Sequence, residues 1–285
     1  MSFLKGFAWS SSFFILALPP VLAQTLPRPD HVVVVVEENH SYSEIVGSAS
    51  APYINKVLLP ASALMTQSFA ITHPSEPNYL ALFSGSTQGL TSDACPVDLG
   101  PTPNLARSLL AGGFTFVGYS EGLPSTGSTV CRDGAYARKH NPWVNWQENG
   151  GFPAALSKTF KDFPKDYTKL PTVCWVIPDK NNDMHDGTIE KADDWLRKNL
   201  DKYAAWCKDH NGLLIVTWDE DDHGEDNHIV TLFLGPMVRP GKYDEPIDHY
   251  GVLRTLLDLF GLTPFNNAVK AKNITDIFLQ APSTH

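Results

Sequence analysis

No stretch after residue 23 is long and apolar enough to span a bilayer, so a polytopic membrane protein is excluded. Cations are scarce: 22 Lys and Arg stand against 31 Asp and Glu, for a formal net charge of −9. That balance is a poor basis for neutralising a nucleic-acid backbone, and nucleic acid is not expected as a partner. Cysteine is rarer still, with four residues, Cys95, Cys131, Cys174 and Cys207, none at a metal-type spacing. Neither an internal repeat nor a low-complexity tract is present, so a solenoid or a disordered polar tail is excluded as well.

The first 23 residues are the one apolar leader. Lys5 supplies a positive start, Phe13-Phe14-Ile15-Leu16-Ala17-Leu18 an apolar centre, and Val21-Leu22-Ala23 a small-residue cleavage signal. Pro19-Pro20 breaks the run, which is too short for an anchor. A signal peptide over 1–23 and a single domain over 24–285 are therefore expected, with a secreted or periplasmic location. Loss of Lys5 with the leader moves the charge from −9 to −10. Four cysteines in an exported chain favour two disulfides. Three pairings are open, of which Cys95–Cys131 and Cys174–Cys207 are preferred.

Two apolar runs each end at an acidic cluster. His31-Val32-Val33-Val34-Val35-Val36 stops at Glu37-Glu38-Asn39-His40, and Leu213-Leu214-Ile215-Val216-Thr217-Trp218 stops at Asp219-Glu220-Asp221-Asp222-His223. Neither alternates, so both read as strands buried on both faces of a parallel sheet. Ligands in open α/β sheets sit outside the carboxyl ends of the strands. Carboxylates gathered there from distant segments repel one another unless a cation lies between them.

Further strands are expected at 63–69, 115–119, 172–177 and 230–234, and helices at 51–59, 79–83, 105–110, 189–207 and 252–260. This alternation predicts an α/β fold, a mostly parallel central sheet sandwiched between helices. Residues 120–150 form a long irregular stretch of the kind that usually carries function.

Ser75 stands where an apolar stretch gives way to a helix, with Pro77 in the first helical turn. A plain capping serine would suit that position equally. A nucleophile also suits it, because free backbone N–H groups and the helix dipole favour phosphate oxygens there. Asn78 is placed to donate to the same oxygens. Among the ten histidines, His140, His185, His228 and His249 fall in polar segments beside strands and helices. Each is a candidate ligand, phosphate donor or general acid.

The pieces Glu37-Glu38-Asn39-His40-Ser41-Tyr42, His73-Pro74-Ser75-Glu76-Pro77-Asn78-Tyr79, Lys139-His140-Asn141-Pro142, Asp183-Met184-His185-Asp186 and Thr217-Trp218-Asp219-Glu220 occur in that order. Together, over about 30–262, they resemble the phosphoesterase family of secreted acid phosphatases and bacterial phospholipases C, within the alkaline phosphatase superfamily. The resemblance implies an alkaline-phosphatase-like core and a metal held by Glu38, Asn39, Ser75, Asp219 and Glu220. It implies Ser75 as nucleophile, His185 and then His228 as the leaving-group acid, and Lys139, His140 and Asn78 on the phosphate. Asp183 and His249, with His185 and His228, are candidates for a second ion, although the match to a two-zinc site is imperfect. Glu37, Asp221 and Asp222 are expected to be bystanders or supports. An all-oxygen ligand set suits one hard divalent cation, Mg²⁺, Ca²⁺ or Mn²⁺, more than Zn²⁺.

The expected activity is a metal-dependent phosphomonoesterase working through phosphoserine on small soluble esters, with no membrane insertion. Phosphodiesterase or phospholipase C chemistry is the alternative, and a non-catalytic calcium-binding module the non-enzymatic one. That module would leave Ser75 without a role. A sulfatase is disfavoured because no Cys-x-Pro-x-Arg segment is present.

Overall fold

Five consecutive valines, Val32–Val36, have no solvent exposure at all. Branched at Cβ and flanked by no turn residue, they can only be the middle of a covered sheet. The computed structural model describes residues 26–279. The expected leader, 1–23, lies outside the described residues.

In chain order the strands are β1 (His31–Glu37), β2 (Ala63–Phe69), β3 (Phe116–Ser120), β4 (Arg132–Asp133), β5 (Tyr136–Ala137), β6 (Ser157–Thr159), β7 (Val173–Ile177), β8 (Gly212–Trp218), β9 (His228–Leu234), β10 (Gly241–Tyr243) and β11 (Ile247–Asp248). The helices are α1 (Tyr42–Ile45), α2 (Ser75–Ser84), α3 (Leu105–Ala111), α4 (Ile189–Cys207) and α5 (His249–Leu259). The helix expected at 51–59 is a π-turn, Ile54–Leu58, running into a 3₁₀ turn, Leu59–Ala61.

The main sheet runs β10-β2-β9-β8-β1-β7-β3-β6, with β11 also on β2. Its pairings are parallel except β8–β9 and β2–β9. Among the described strands of this sheet only β9 therefore runs against the rest. The consequence for function is direct: β1, β2, β3, β7 and β8 all end at one edge. The loops after them, carrying Glu38, Ser75, Glu121, Asp183 and Asp219, converge there.

Alternate residues of β1 face two cores. Val32, Val34 and Val36 pack with α2, α5 and the rings of Phe83, Trp143, Trp146 and Trp175. Val33 and Val35 pack with Trp195, Leu196, Leu200 and Tyr203 of α4. Thr188 caps α4 by accepting from Lys191 N, and Asp248 caps α5 by accepting from Gly251 N. Gly85 ends α2 at φ 66°, the left-handed conformation that glycine adopts without cost. Gly118 is required by packing, since a Cβ there would lie 2.1 Å from the Trp143 ring.

Cys95 and Cys131 form a disulfide. The second expected bridge is absent: Cys174 and Cys207 are both free and buried. Each packs as a small apolar group in the α4 core, and the Cys207 thiol donates to the Ala204 carbonyl at 3.4 Å. Burial pushes that thiol up to about 12, so it stays uncharged and unreactive.

Candidate active site

Glu38 follows β1 and Asp219 and Glu220 follow β8, so adjacent parallel strands deliver all three carboxylates. All are buried, as is Ser75. The Ser75 hydroxyl lies 3.1 Å from Glu38 Oε2 and 3.0 Å from Glu220 Oε1. Asn39 holds a left-handed φ of 44°, and its backbone N–H donates to Asp219 Oδ1 at 3.3 Å. Burial pushes the Glu38 carboxyl up to about 7, with Asp183 adding to it and His140 opposing it. Asp219 is driven well above the carboxylate range by burial, then by Glu38 and Glu220. Burial also raises Glu220, against the Ser75 hydrogen bond.

Ser75 is the first residue of α2, one place inside the capping position, which Pro74 takes after a cis His73–Pro74 bond. The nucleophile candidate thus opens a ten-residue helix whose positive end faces the site.

Lys139 comes from the 3₁₀ turn Arg138–His140, and its Nζ lies 3.4 Å from Ser75 Oγ and 2.8 Å from Asp93 Oδ2. Burial works against its charge, but Glu38 and Asp93 outweigh burial and hold the ammonium above its usual value. Asp93 also accepts from Glu76 N at 3.0 Å, tying lysine and helix together. The Cys95–Cys131 bridge and buried Arg138, which donates to Thr129 O and Val97 O, clamp the two loops that present this pair.

His140 is fully buried and stacked on Tyr79 with ring centroids 5.3 Å apart. Its Nε2 is 3.0 Å from Glu38 Oε1 and its Nδ1 3.2 Å from Asp183 Oδ2. Neither pair has hydrogen-bond alignment, and both carboxylate oxygens are without another partner. Burial lowers the imidazole to about 4 and raises Asp183 to about 8. At neutral pH the ring is uncharged, so these contacts are not ion pairs. His185 sits at the solvent-reached mouth, its ring centroid 5.6 Å from that of His140. Its Nδ1 is 2.7 Å from Asp186, and a ligand atom each of Glu38, His140 and His185 lie within 4.8 Å of one another.

Other expected residues stand elsewhere. Asn78 accepts from Ile71 N and Thr72 N and donates to Thr72 O at 2.7 Å, holding the loop before Ser75, and its Nδ2 also lies 3.5 Å from Glu220 Oε2 at the edge of the cluster. His228 is not at the cluster: its ring stacks on Tyr42 and Phe69, with Nε2 2.9 Å from the Thr66 carbonyl. The acid role considered for it has no geometric basis. Buried His249 has Nε2 2.6 Å from the Asp219 backbone carbonyl, a support for that residue's chain. Glu37 is buried with both oxygens unpartnered, and burial followed by Asp183 drives its carboxyl well above the usual range.

Residues not singled out in the sequence also enter. His73 places Nδ1 2.6 Å from Glu220 Oε2 and Nε2 3.3 Å from Asp221 Oδ1. Asp221 in turn accepts from the backbone N–H groups of His223, Glu225 and Asn227, folding the loop after β8. His73 lies two residues before Ser75, which is the one local signal for it. Asp93 has none, because only the disulfide-tied loop brings it in.

Asn39 Oδ1, Asp219 Oδ2 and Glu38 Oε1 are buried oxygens with no hydrogen-bond partner, an arrangement costly by about 1–3 kcal/mol for each group left so. With the Ser75 hydroxyl and Glu220 they offer oxygen donors, the chemistry that suits a hard divalent cation, while Glu38, His140 and His185 present a mixed oxygen and nitrogen trio within 4.8 Å.

A model of the Phosphoesterase family matches residues 48–263. The chain is 53% identical over 266 residues to a phosphatidylinositol-3-phosphatase of Mycobacterium tuberculosis, covering 92% of this chain and 88% of that one. It is 30% identical over 261 residues to an acid phosphatase of Aspergillus fumigatus, covering 84% of this chain but 57% of the fungal one. The chain thus spans little more than half of the fungal protein. Among solved structures, a protein in the alkaline phosphatase superfamily from Vibrio parahaemolyticus superposes with a TM-score of 0.59 at 16% identity. That likeness covers 86% of this chain and 72% of the other, and it shows the fold.

Proposed function

Because the chain belongs to the phosphoesterase family, and is a hydrolase of phosphoric esters, we propose that it is a metal-dependent phosphomonoesterase acting through a phosphoserine at Ser75. One observation carries this reading: a buried serine hydroxyl at a helix N-terminus lies between two carboxylates and within 3.4 Å of a lysine. A binding module has no use for that hydroxyl.

Glu38, Asn39, Asp219, Glu220 and Ser75 would hold the cation. When bound it would polarise the phosphoryl group and favour ionisation of the serine.

The protein groups do the rest. Ser75 Oγ attacks phosphorus as the ester P–O bond breaks, and its proton has carboxylate acceptors in Glu38 and Glu220. Lys139 neutralises the non-bridging oxygens, the electrostatic positioning that dominates phosphoryl transfer. His185 protonates the leaving alkoxide through Nε2, its Nδ1 being engaged by Asp186. The same nitrogen then takes a proton from the water that splits the phosphoserine, releasing inorganic phosphate. Tyr79, stacked on its ring, holds His140 as the inner wall.

The relative that acts on a 3-phosphorylated inositol lipid favours one substrate class among the monoesters. Such a 3-phosphate is itself a monoester, so the chemistry is unchanged. Export through the 1–23 leader completes the reading, and a mature protein beginning at Gln24 is the expected N-terminal sequence.

The test is a panel of an aryl monophosphate, the corresponding diester and phosphatidylinositol 3-phosphate, with and without EDTA. Monoester turnover lost on chelation and restored by a divalent cation supports the proposal. Preference for the diester, or undiminished activity after chelation, overturns it.

A further inference from the structure

A second concave site lies beyond β3 and β6, at the same edge of the sheet. It is a groove of about 610 Å³, lined by Lys161, Lys165, Lys198 and Lys202 and by the rings of Phe160, Phe163 and Tyr167. None of Ser75, Lys139, His140 or His185 lines it. Its size falls in the range of small-molecule sites.

Four lysines around one cavity are out of keeping with a chain of net charge −9. Lys198 pairs with Asp194, but Lys161, Lys165 and Lys202 have no acidic partner among the described residues. The one acid of the lining, Glu121, is turned toward the loop after β7, its Oε2 accepting from Asp179 N at 3.0 Å and Asn182 Nδ2 at 2.9 Å. Ammonium groups without an ion-pair partner can donate charge-assisted hydrogen bonds directly to an anion seated in the groove.

The rings supply the second half of the chemistry. Phe160 stacks on Phe163 with centroids 5.4 Å apart, and Tyr167 lies 6.3 Å from Phe163. Behind them Tyr119 and Trp195 fix Phe163 and Phe160 at 5.2 and 5.1 Å. The rings are therefore half-buried and held in place, a stacking wall rather than a protruding anchor. A bilayer calls for apolar groups that project from the surface. A concave wall ringed with lysines calls for a discrete polyanion.

We propose that this groove binds an aromatic polyphosphate of the nucleoside di- or triphosphate kind, its ring against Phe160, Phe163 and Tyr167 and its phosphates on Lys161, Lys165, Lys198 and Lys202. The site is separate from Ser75 and does not depend on the reaction assigned there. Its ligand lies beside Glu121, which is bonded to the loop carrying Asp183 and His185.

The test uses full-length Ser75→Ala protein with ring-labelled phenylalanine and tyrosine, titrated with ATP and followed by NMR. ATP is expected to shift the Phe160, Phe163 and Tyr167 resonances saturably. Adenosine, lacking phosphates, and pyrophosphate, lacking the ring, are each expected to bind at least about tenfold more weakly, a loss of about 1.4 kcal/mol. Replacing Lys161, Lys165, Lys198 and Lys202 by glutamine should weaken ATP by at least the same factor. In a Ser75-containing background those replacements should leave aryl phosphate turnover within about twofold, so a failure here is distinguishable from failure of the catalytic reading. Unmoved ring resonances, or unchanged ATP affinity after the lysines are replaced, would overturn the proposal. Sedimentation with phosphatidylglycerol vesicles in a protein blind to ATP would overturn it in favour of a bilayer surface.

Discussion

Lys139 reaches to 3.4 Å from the Ser75 hydroxyl while its ammonium is held at 2.8 Å by Asp93, a residue 46 positions earlier in the chain. The lysine is thus aimed by a carboxylate outside the acidic cluster, and both belong to loops joined by Cys95–Cys131.

Lys139→Met should lower kcat for an aryl monophosphate about 10²–10³-fold, in line with loss of one preorganised charge at a developing oxyanion. Asp93→Asn should cost less, because it misplaces the ammonium without removing it. Steady-state kinetics of the two variants decide the point. The double variant should be no worse than Lys139→Met alone, whereas additive losses would mean that Asp93 acts independently of Lys139.

Breaking the bridge tests the same coupling from the side of the fold. Cys95→Ser with Cys131→Ser should destabilise the chain by about 2–4 kcal/mol, since the closed loop spans 36 residues. It should also lower kcat, because the Asp93 and Lys139 loops are no longer tied. Denaturant unfolding and kinetics check the two halves. In the unreduced denatured protein, thiol titration should find two free groups, Cys174 and Cys207.

The metal-free protein should lose stability as pH rises. Glu38 is raised from 4.5 to about 7 and Asp183 from 3.8 to about 8 in the folded state, burial being the leading cause for both. A folded-state pKa above the unfolded one stabilises fully below the unfolded value and fades as pH passes through the folded value. Buried His140, lowered from 6.5 to about 4, works in the opposite direction below the ordinary histidine range, so thermal unfolding of the chelated protein should worsen clearly between about pH 6.5 and 8. A saturating divalent cation should flatten that slope by binding the ionised carboxylates, a linkage effect. A flat profile without metal would contradict the buried-carboxylate geometry.

The two acid-ended strands were legible because unbroken β-branched runs have one stable environment, a sheet covered on both faces. The converging carboxyl edge followed from them. What could not be read is instructive. The sequence of β9 looks like that of its neighbours, and its antiparallel direction depends on the short connection from β8, Asp219–Asn227. The place of His228 just before that strand marks it as a candidate, yet its ring is spent between Tyr42 and Phe69. Asn78 has the right position in the motif, but its amide oxygen is taken by the Ile71 and Thr72 N–H groups and its nitrogen is shared between Thr72 O and Glu220. Asp93 belongs to a loop with no periodicity, fixed in space by a covalent bond. The pairing of Cys174 with Cys207 failed for the opposite reason: both thiols are well satisfied as apolar filling.

The central claim is that Ser75 carries the phosphoryl group. Acid quenching during steady-state turnover, followed by peptide mass spectrometry, addresses it without reliance on loss of activity. A phosphoryl adduct is expected on Ser75 and should vanish in Ser75→Ala, a variant that still binds the divalent cation. An adduct on another residue, or full turnover by Ser75→Ala, would contradict it.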